Sequence, residues 1–336
     1  MNDNNTPKIS VIMSVYKEPL DWIKQSIDSI LQQTFRDFEF IIICDNPENT
    51  EAIALLRDYE MQDVRIKLLF NEQNIGLTKS LNRGLSIAKG DYIARMDADD
   101  ISRKDRFAIQ YKYMQEHPEV DVCGSWCRLF GNHHFLSMRI KKMPQNNNEI
   151  IAGLLFENPI IHPTVMFKKN INKKIVRYNE AAIRSQDYRL WFDLSLEKAY
   201  FHNINKCLVN YRVSANQIST KYSSIQRETS GALRSKLLRT INPHITDEEV
   251  IIHNDLITTN TSGFSLEQKM SYLLNLNKWI NNNCLSDIYR KLCAKYALQT
   301  CLLYRKPSYI LKIPYLKFND LFDMTVVREL VRSLIH

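Results

Sequence analysis

Glycine and proline are scarce in this chain, at 8 and 10 of 336 residues. That scarcity excludes collagen-like repeats and linker-dominated architectures. No two glycines are spaced for G-x-G-x-x-G, and no G-x-x-x-x-G-K-[ST] occurs. A dinucleotide fingerprint and a P-loop therefore find no support. No apolar run approaches the ~18–20 residues of a membrane-spanning helix. The opening Met1–Pro7 has neither a basic stretch nor an apolar one, which predicts no secretory leader. The cysteines (Cys44, Cys123, Cys127, Cys207, Cys284, Cys293 and Cys301) are odd in number, scattered and without C-x-x-C spacing. That pattern fits reduced thiols in a cytoplasm. Cys123 and Cys127 stand four apart, but only His133 and His134 follow as partners, short of a convincing four-ligand zinc pattern.

What is present is ordinary globular composition, 44% hydrophobic and 24% charged, which excludes a disordered chain. The length predicts two domains, or one large domain with an appendage. Net charge is +8, and residues 215–336 carry +6 of it, with 16 Lys and Arg against 10 Asp and Glu. Such an excess is either a solvated surface or an attraction to an anionic membrane or a phosphate-bearing substrate.

The first hundred residues alternate strand and helix patterns. Apolar runs at 8–15, 38–44, 64–70 and 91–96 read as strands. Between them, 20–33, 50–60 and 76–89 carry helical spacing. This βαβαβαβ order predicts a parallel sheet covered on both faces, with ligands at the carboxyl ends of the strands. Those ends are Tyr16-Lys17-Glu18, Asp45-Asn46, residues 71–74 and Asp97-Ala98-Asp99-Asp100. The crevice is thus expected to be acidic and polar. Three carboxylates in four residues repel unless a cation offsets them, and hard Mg²⁺ or Mn²⁺ takes such oxygen ligands while bridging to phosphate. Downstream, 101–116 reads as helix, 121–130 as strand and 131–150 as a polar loop. Residues 158–167 form a turn leading into a strand, 186–196 a helix, and 200–205 with 207–211 a strand pair. The chain is helical over 223–239, 266–280 and 287–303.

The chain resembles a family 2 glycosyltransferase of GT-A fold over roughly residues 8–220. The resemblance is carried by Val15-Tyr16-Lys17-Glu18, Asp45, Asn74-x-Gly76-Leu77-Thr78, Asn82-x-Gly84, Ala88-x-Gly90-Asp91-Tyr92-Ile93 and Asp97-Ala98-Asp99-Asp100. It continues through Asn158-Pro159-Ile160-Ile161-His162-Pro163-Thr164, Gln186-Asp187-Tyr188-x-Leu190-Trp191 and Tyr211-Arg212. It implies an α/β, GT-A-like nucleotide-sugar-binding domain with a mostly parallel sheet over 1–220, then a helical C-terminal region over 221–336. It implies an inverting, metal-dependent transfer of a hexose (glucose, galactose or N-acetylglucosamine) from a UDP-sugar to a saccharide acceptor, of the lipid-pyrophosphate-linked kind. The setting it implies is O-antigen, capsule or lipooligosaccharide assembly in the cytoplasm, at the cytoplasmic face of the inner membrane.

Residue roles follow from the same resemblance. Tyr16 and Glu18 would border the nucleoside and Asp45 the uracil. Asp97 would face the ribose or diphosphate and, with Asp99, the Mn²⁺ or Mg²⁺ ion. Asp187 would be the catalytic base, as an inverting transfer needs one carboxylate to deprotonate the acceptor and no enzyme nucleophile. Lys79, Arg83 and Arg106 are candidates to pair the diphosphate. His162 is either a packed side chain or an acceptor or diphosphate contact. Trp191 either stacks on a sugar or fills the core. Lys17 stands where the family usually has Asn, and Ser214 occupies the neighbourhood of a missing His. Gln186 stands where Glu is frequent, which removes a charge beside Asp187 and is expected to lower its pKa.

Leu302–Phe318 mixes basic and aromatic residues without an acid, which fits either a segment lying in a membrane interface or a helical region docked on the catalytic domain with its basic residues in water. A non-catalytic nucleotide-sugar or glycan-binding module is the alternative, although such a module needs no base. Nucleic acid is not an expected partner, because the strand-end region is acidic and lacks a basic, aromatic-interleaved stripe.

Overall fold

The computed structural model describes residues 6–131, 139–182, 184–214, 223–258, 263–281, 286–306, 308, 309 and 313. The chain divides into two compact units, residues 1–150 with 158–229, and residues 151–157 with 230–336.

The first unit opens with β1 (Ile9–Val15), α1 (Leu20–Leu31), β2 (Phe38–Cys44), α2 (Thr50–Gln62), β3 (Ile66–Phe70), α3 (Leu77–Ile87) and β4 (Tyr92–Asp97). Every residue of β1 and β2 is buried. Unbroken apolar runs of this kind belong to parallel strands covered on both faces. The order is β3-β2-β1-β4, all parallel, with Ile9 beside both Phe38 and Tyr92. Helix α3 lies close on the sheet, and Gly84 allows the approach. A Cβ there would stand 2.9 Å from Ile12 Cγ2 and 3.0 Å from Ile43 Cδ1.

The sheet continues beyond β4 through β5 (Ile101–Ser102), β6 (Val122–Gly131), β7 (Ile140–Lys141), β8 (Met166–Lys168) and β11 (Phe201–Val213). Strand β8 runs antiparallel between β4 and β6, and β11 is parallel to β6. The first unit also holds α4 (Arg106–Glu116), the part of α5 (Asn147–Gly153) up to Ile150, α6 (Gln186–Leu196), and a small hairpin of β9 (Asn170–Ile171) and β10 (Lys174–Ile175).

Local chemistry explains where the periodicity misleads. One helix is expected over 101–116, yet Ile101 and Ser102 pair with β11 and the helix starts at Arg106. The Ser29 hydroxyl accepts from the Ser102 amide, and Gln33 donates to the Ser102 hydroxyl and the Arg103 carbonyl, holding the segment extended. The strand pair expected over 200–211 is a single strand, whose register shifts around Cys207 absorb the irregularity. The polar loop expected over 131–150 contains β7 and the start of α5, and its residues 132–138 lie outside the described residues.

The second unit holds α7 (Ser223–Ile241) from Ser230 onward, then α8 (Asp247–Thr258), α9 (Leu266–Asn281) and α10 (Ser286–Leu303). Residues 151–157 belong to it. His253 shares a hydrogen bond with the Leu155 carbonyl, Phe156 stacks on Tyr296, and Lys295 pairs with Glu157. Helix α8 escapes the periodicity, but its start is written in the sequence. Thr246 and Glu249 form a reciprocal capping box, each side chain accepting from the other's amide. No helix among the described residues is long and apolar enough to cross a membrane. Of the Leu302–Phe318 segment, residues 307, 310–312 and 314–318 lie outside the described residues.

Candidate active site

Strands β1, β2 and β4 deliver their carboxyl ends to one edge of the sheet, the place where open α/β sheets bind ligands. The turn after β4 carries three carboxylates, Asp97, Asp99 and Asp100, whose ligand oxygens all lie within 4.8 Å of one another. Asp100 is 1% exposed. One of its oxygens accepts the Arg212 amide at 2.7 Å, and the other, Oδ2, is buried with no hydrogen-bond partner. Arg95, 2% exposed, pairs with Asp97. A buried arginine inside the apolar run of β4 demands such a carboxylate, a signal the sequence offered and the periodicity alone does not use.

Burial, then Asp97, then Glu18 push the Asp99 carboxyl up to about 7. Burial and both neighbouring aspartates raise Asp100 as well. Glu18 accepts the Tyr16 amide at 2.7 Å, and burial raises its carboxyl too. A crowded set of hard oxygen donors, one of them an orphaned buried atom, fits a divalent cation ligated by oxygen. Asp100 thus joins the Asp97 and Asp99 set expected from the sequence.

The second strand end is organised around Asp45. Its Oδ1 accepts from Asn71 Nδ2 at 2.6 Å and from the Ile75 amide at 2.9 Å, and its Oδ2 accepts the Gly76 amide at 2.9 Å. Gly76 turns the chain at φ +85°, a conformation L side chains rarely adopt, and so starts α3. Asp45 therefore shapes the loop 71–76 beside the crevice. Arg83 donates to the Phe70 carbonyl and to Asn71 Oδ1, so its guanidinium is committed to the same loop. Lys79 is exposed on α3. Tyr16 is half-buried, with the Lys17 ammonium 5.0 Å from its ring centroid.

Asp187 sits in the first turn of α6, where the helix N-terminus favours a carboxylate. Its Oδ2 accepts from Asn158 Nδ2 at 2.7 Å. Burial nevertheless raises its carboxyl, and Asp97 acts in the same direction. The lowering expected from Gln186 is thus outweighed by desolvation. Beside it, His162 Nε2 lies 2.8 Å from the Tyr178 hydroxyl. Burial, assisted by Arg95, holds His162 well below its ordinary pKa and therefore neutral. Tyr178, which no sequence motif singled out, is pinned by Asn82, whose side chain both accepts from its amide and donates to its carbonyl at 2.9 Å. Asn82 stands in a motif already noted, and its long reach from α3 is visible only in three dimensions.

Two expectations are corrected. Arg106 is 0% exposed and donates to Gln110 Oε1 and to the Arg95 and Val165 carbonyls, which ties β4 to the strand beside it and leaves no reach to a diphosphate. Trp191 is also 0% exposed, so it fills the core beneath His162 and presents no face to a sugar. Cys123 and Cys127 are buried free thiols pushed up to about 12, as befits neutral core residues, while His133 and His134 lie outside the described residues.

Comparison with known proteins agrees with this geometry. The family model for glycosyl transferase family 2 matches residues 10–189, more than half of the chain. A glycosyltransferase of Methanocaldococcus jannaschii, MJ1057, is 37% identical over 213 residues, covering 63% of this chain and 73% of that protein. The O-antigen biosynthesis glycosyltransferase WbnJ of Escherichia coli is 38% identical over 208 residues, covering 61% of this chain and 79% of WbnJ. Among solved structures, residues 1–349 of S. aureus TarS in complex with UDP-GlcNAc superpose with a TM-score of 0.53 at 17% identity, over 92% of this chain and 89% of that one. The match to the family model and the likeness in fold agree, and the chain belongs to glycosyltransferase family 2, with a GT-A-like fold.

Proposed function

We propose that this glycosyltransferase is inverting and cation-dependent, and that it moves a hexose (glucose, galactose or N-acetylglucosamine) from a UDP-sugar to a saccharide acceptor. The observation that carries the reading is the cluster of Asp97, Asp99 and Asp100, with ligand oxygens within 4.8 Å of one another at the carboxyl end of β4, in a chain of glycosyltransferase family 2. In this reading Asp187 takes the proton of the acceptor hydroxyl. The acceptor oxygen bonds to the anomeric carbon from one face as the diphosphate oxygen leaves from the other. Asn158 holds Oδ2 of the base, and His162, kept neutral, lines the same region through Tyr178. Asp97, Asp99 and Asp100 would hold Mn²⁺ or Mg²⁺, which when bound neutralises charge on the departing UDP. Tyr16 and Glu18 would border the nucleoside, with the Asp45 loop beside them.

The relative in O-antigen biosynthesis and the neighbour with UDP-GlcNAc support the donor class and a surface-polysaccharide setting. A lipid-pyrophosphate-linked acceptor at the cytoplasmic face of the membrane suits the basic excess after residue 214. The deciding experiment measures UDP binding and sugar transfer with a panel of UDP-sugars and saccharide acceptors. Asp187→Asn is expected to bind UDP as the wild type does and to transfer nothing. Full transfer by Asp187→Asn overturns the base assignment.

A further inference from the structure

We propose that Arg212 is a positioning residue that presets the acidic turn for its cation. The inference rests on the cation-dependent reading above and concerns a residue to which that reading gives no role. Arg212 lies near the end of β11, in register with Phe130 of β6. It grips two consecutive residues of the turn by two independent routes. Its backbone amide donates to Asp100 Oδ1 at 2.7 Å, and its side-chain Nε donates to the Asp99 carbonyl at 2.6 Å. The guanidinium lies 4.6 Å from the Trp22 ring centroid and 4.4 Å from that of Phe130. Its Nη2 reaches Gln25 Oε1 at 2.7 Å. One planar group therefore links α1, β6 and β11 to the peptide that carries Asp99.

The physical consequence concerns geometry more than charge. Asp99 and Asp100 repel each other and Asp97, so an unrestrained turn would splay its carboxylates apart. Fixing the Asp99 carbonyl fixes the peptide from which its side chain projects. A stacked, forked guanidinium does this with little residual freedom, whereas a lysine ammonium in the same place is a mobile point charge. Groups that orient metal ligands from outside are typically worth about 10–100-fold in metal affinity.

The test titrates Mn²⁺ into the full-length protein in the presence of UDP, for the wild type, Arg212→Ala and Arg212→Lys, with thermal melts of each. Both variants are expected to bind Mn²⁺ at least about tenfold more weakly, in the range for such orienting groups. The lysine variant should resemble the alanine one, although its charge is kept. Wild-type affinity in Arg212→Lys overturns the proposal, because charge alone then suffices. Should Arg212→Ala fail to fold, Arg212→Lys decides by the same criterion. A wild-type protein that binds no Mn²⁺ with UDP overturns the cation-dependent reading itself, whereas wild-type binding with an unaffected lysine variant overturns only the role of Arg212.

Discussion

Asn158 donates a hydrogen bond to Asp187, and that bond favours the ionised carboxylate while burial disfavours it. A hydrogen bond to a charged group contributes about 1.5–3 kcal/mol, and one pKa unit corresponds to about 1.4 kcal/mol. Asn158→Ala should therefore raise the Asp187 carboxyl further. In the role proposed for it the Asp187 carboxyl works only when deprotonated, so transfer is expected to fall as pH falls through that pKa. A pH profile of kcat/KM should show its acidic limb displaced to higher pH in the variant. An unmoved limb separates Asn158 from the base. Asp99 supplies a second residue-scale prediction, this time on stability. Its carboxyl stands near 7 in the fold, above the ordinary value of 3.8. Ionising it therefore costs the folded state, nothing at low pH and progressively more between about pH 4 and pH 7. Asp99→Asn cannot ionise. Without added cation at about pH 8 it should melt higher than the wild type, by about 2–6 °C for a gain of about 1–2 kcal/mol, and the gain should vanish near pH 4. The same variant is expected to lose transfer. A lower melting temperature at pH 8 contradicts the crowding of the turn.

The elements of the parallel block were legible because their signals are local. The unbroken apolar runs of β1 and β2 and the helical spacing of α6 coincide with the observed bounds within a residue or so. Segments settled by distant partners were not. Ile101 and Ser102 are strand because Ser29 and Gln33 reach them, and Arg106 is structural because its carbonyl acceptors lie on Arg95 and Val165. Tyr178 beside His162 depends on a reach of 96 positions from Asn82. The site divides in the same way. The acidic turn was readable from spacing and strand position, whereas the Arg212 grip closes over a separation of 113 residues. The loop 71–76 gives the prediction proper to this scale. Three N–H groups from Asn71, Ile75 and Gly76 end on the buried Asp45 carboxylate. Asp45→Ala takes the acceptor from Asn71 and from the Ile75 amide, while the Gly76 amide keeps Asn74 Oδ1, at a cost of about 2–4 kcal/mol. Calorimetric titration should then show weakened UDP binding, with Asp45→Asn, which keeps one acceptor oxygen, falling between the two. Equal UDP affinity in all three proteins removes the loop from the donor site.

For the whole molecule the telling property is where charge of each sign lies. The carboxyl edge of the parallel strands gathers carboxylates, yet the chain is +8 overall and +6 of that falls after residue 214. A cation at the acidic turn would suit that edge to a nucleoside diphosphate, whereas the basic excess is either a solvated surface or, in the proposed setting, a contact to an anionic membrane. Each Lys or Arg held near an anionic bilayer contributes about 1 kcal/mol, and the attraction decays over a Debye length of about 10 Å at moderate salt. If the acceptor is carried on a membrane lipid, that attraction raises its effective concentration at the site without any membrane-spanning helix. Flotation with the intact protein is expected to recover it with vesicles containing anionic lipid at low ionic strength, to release it as salt rises, and to leave it behind with purely zwitterionic vesicles. Retention that ignores salt would assign the binding to apolar insertion, and no retention on either vesicle would leave the basic excess as a solvated surface, with the acceptor reached from solution.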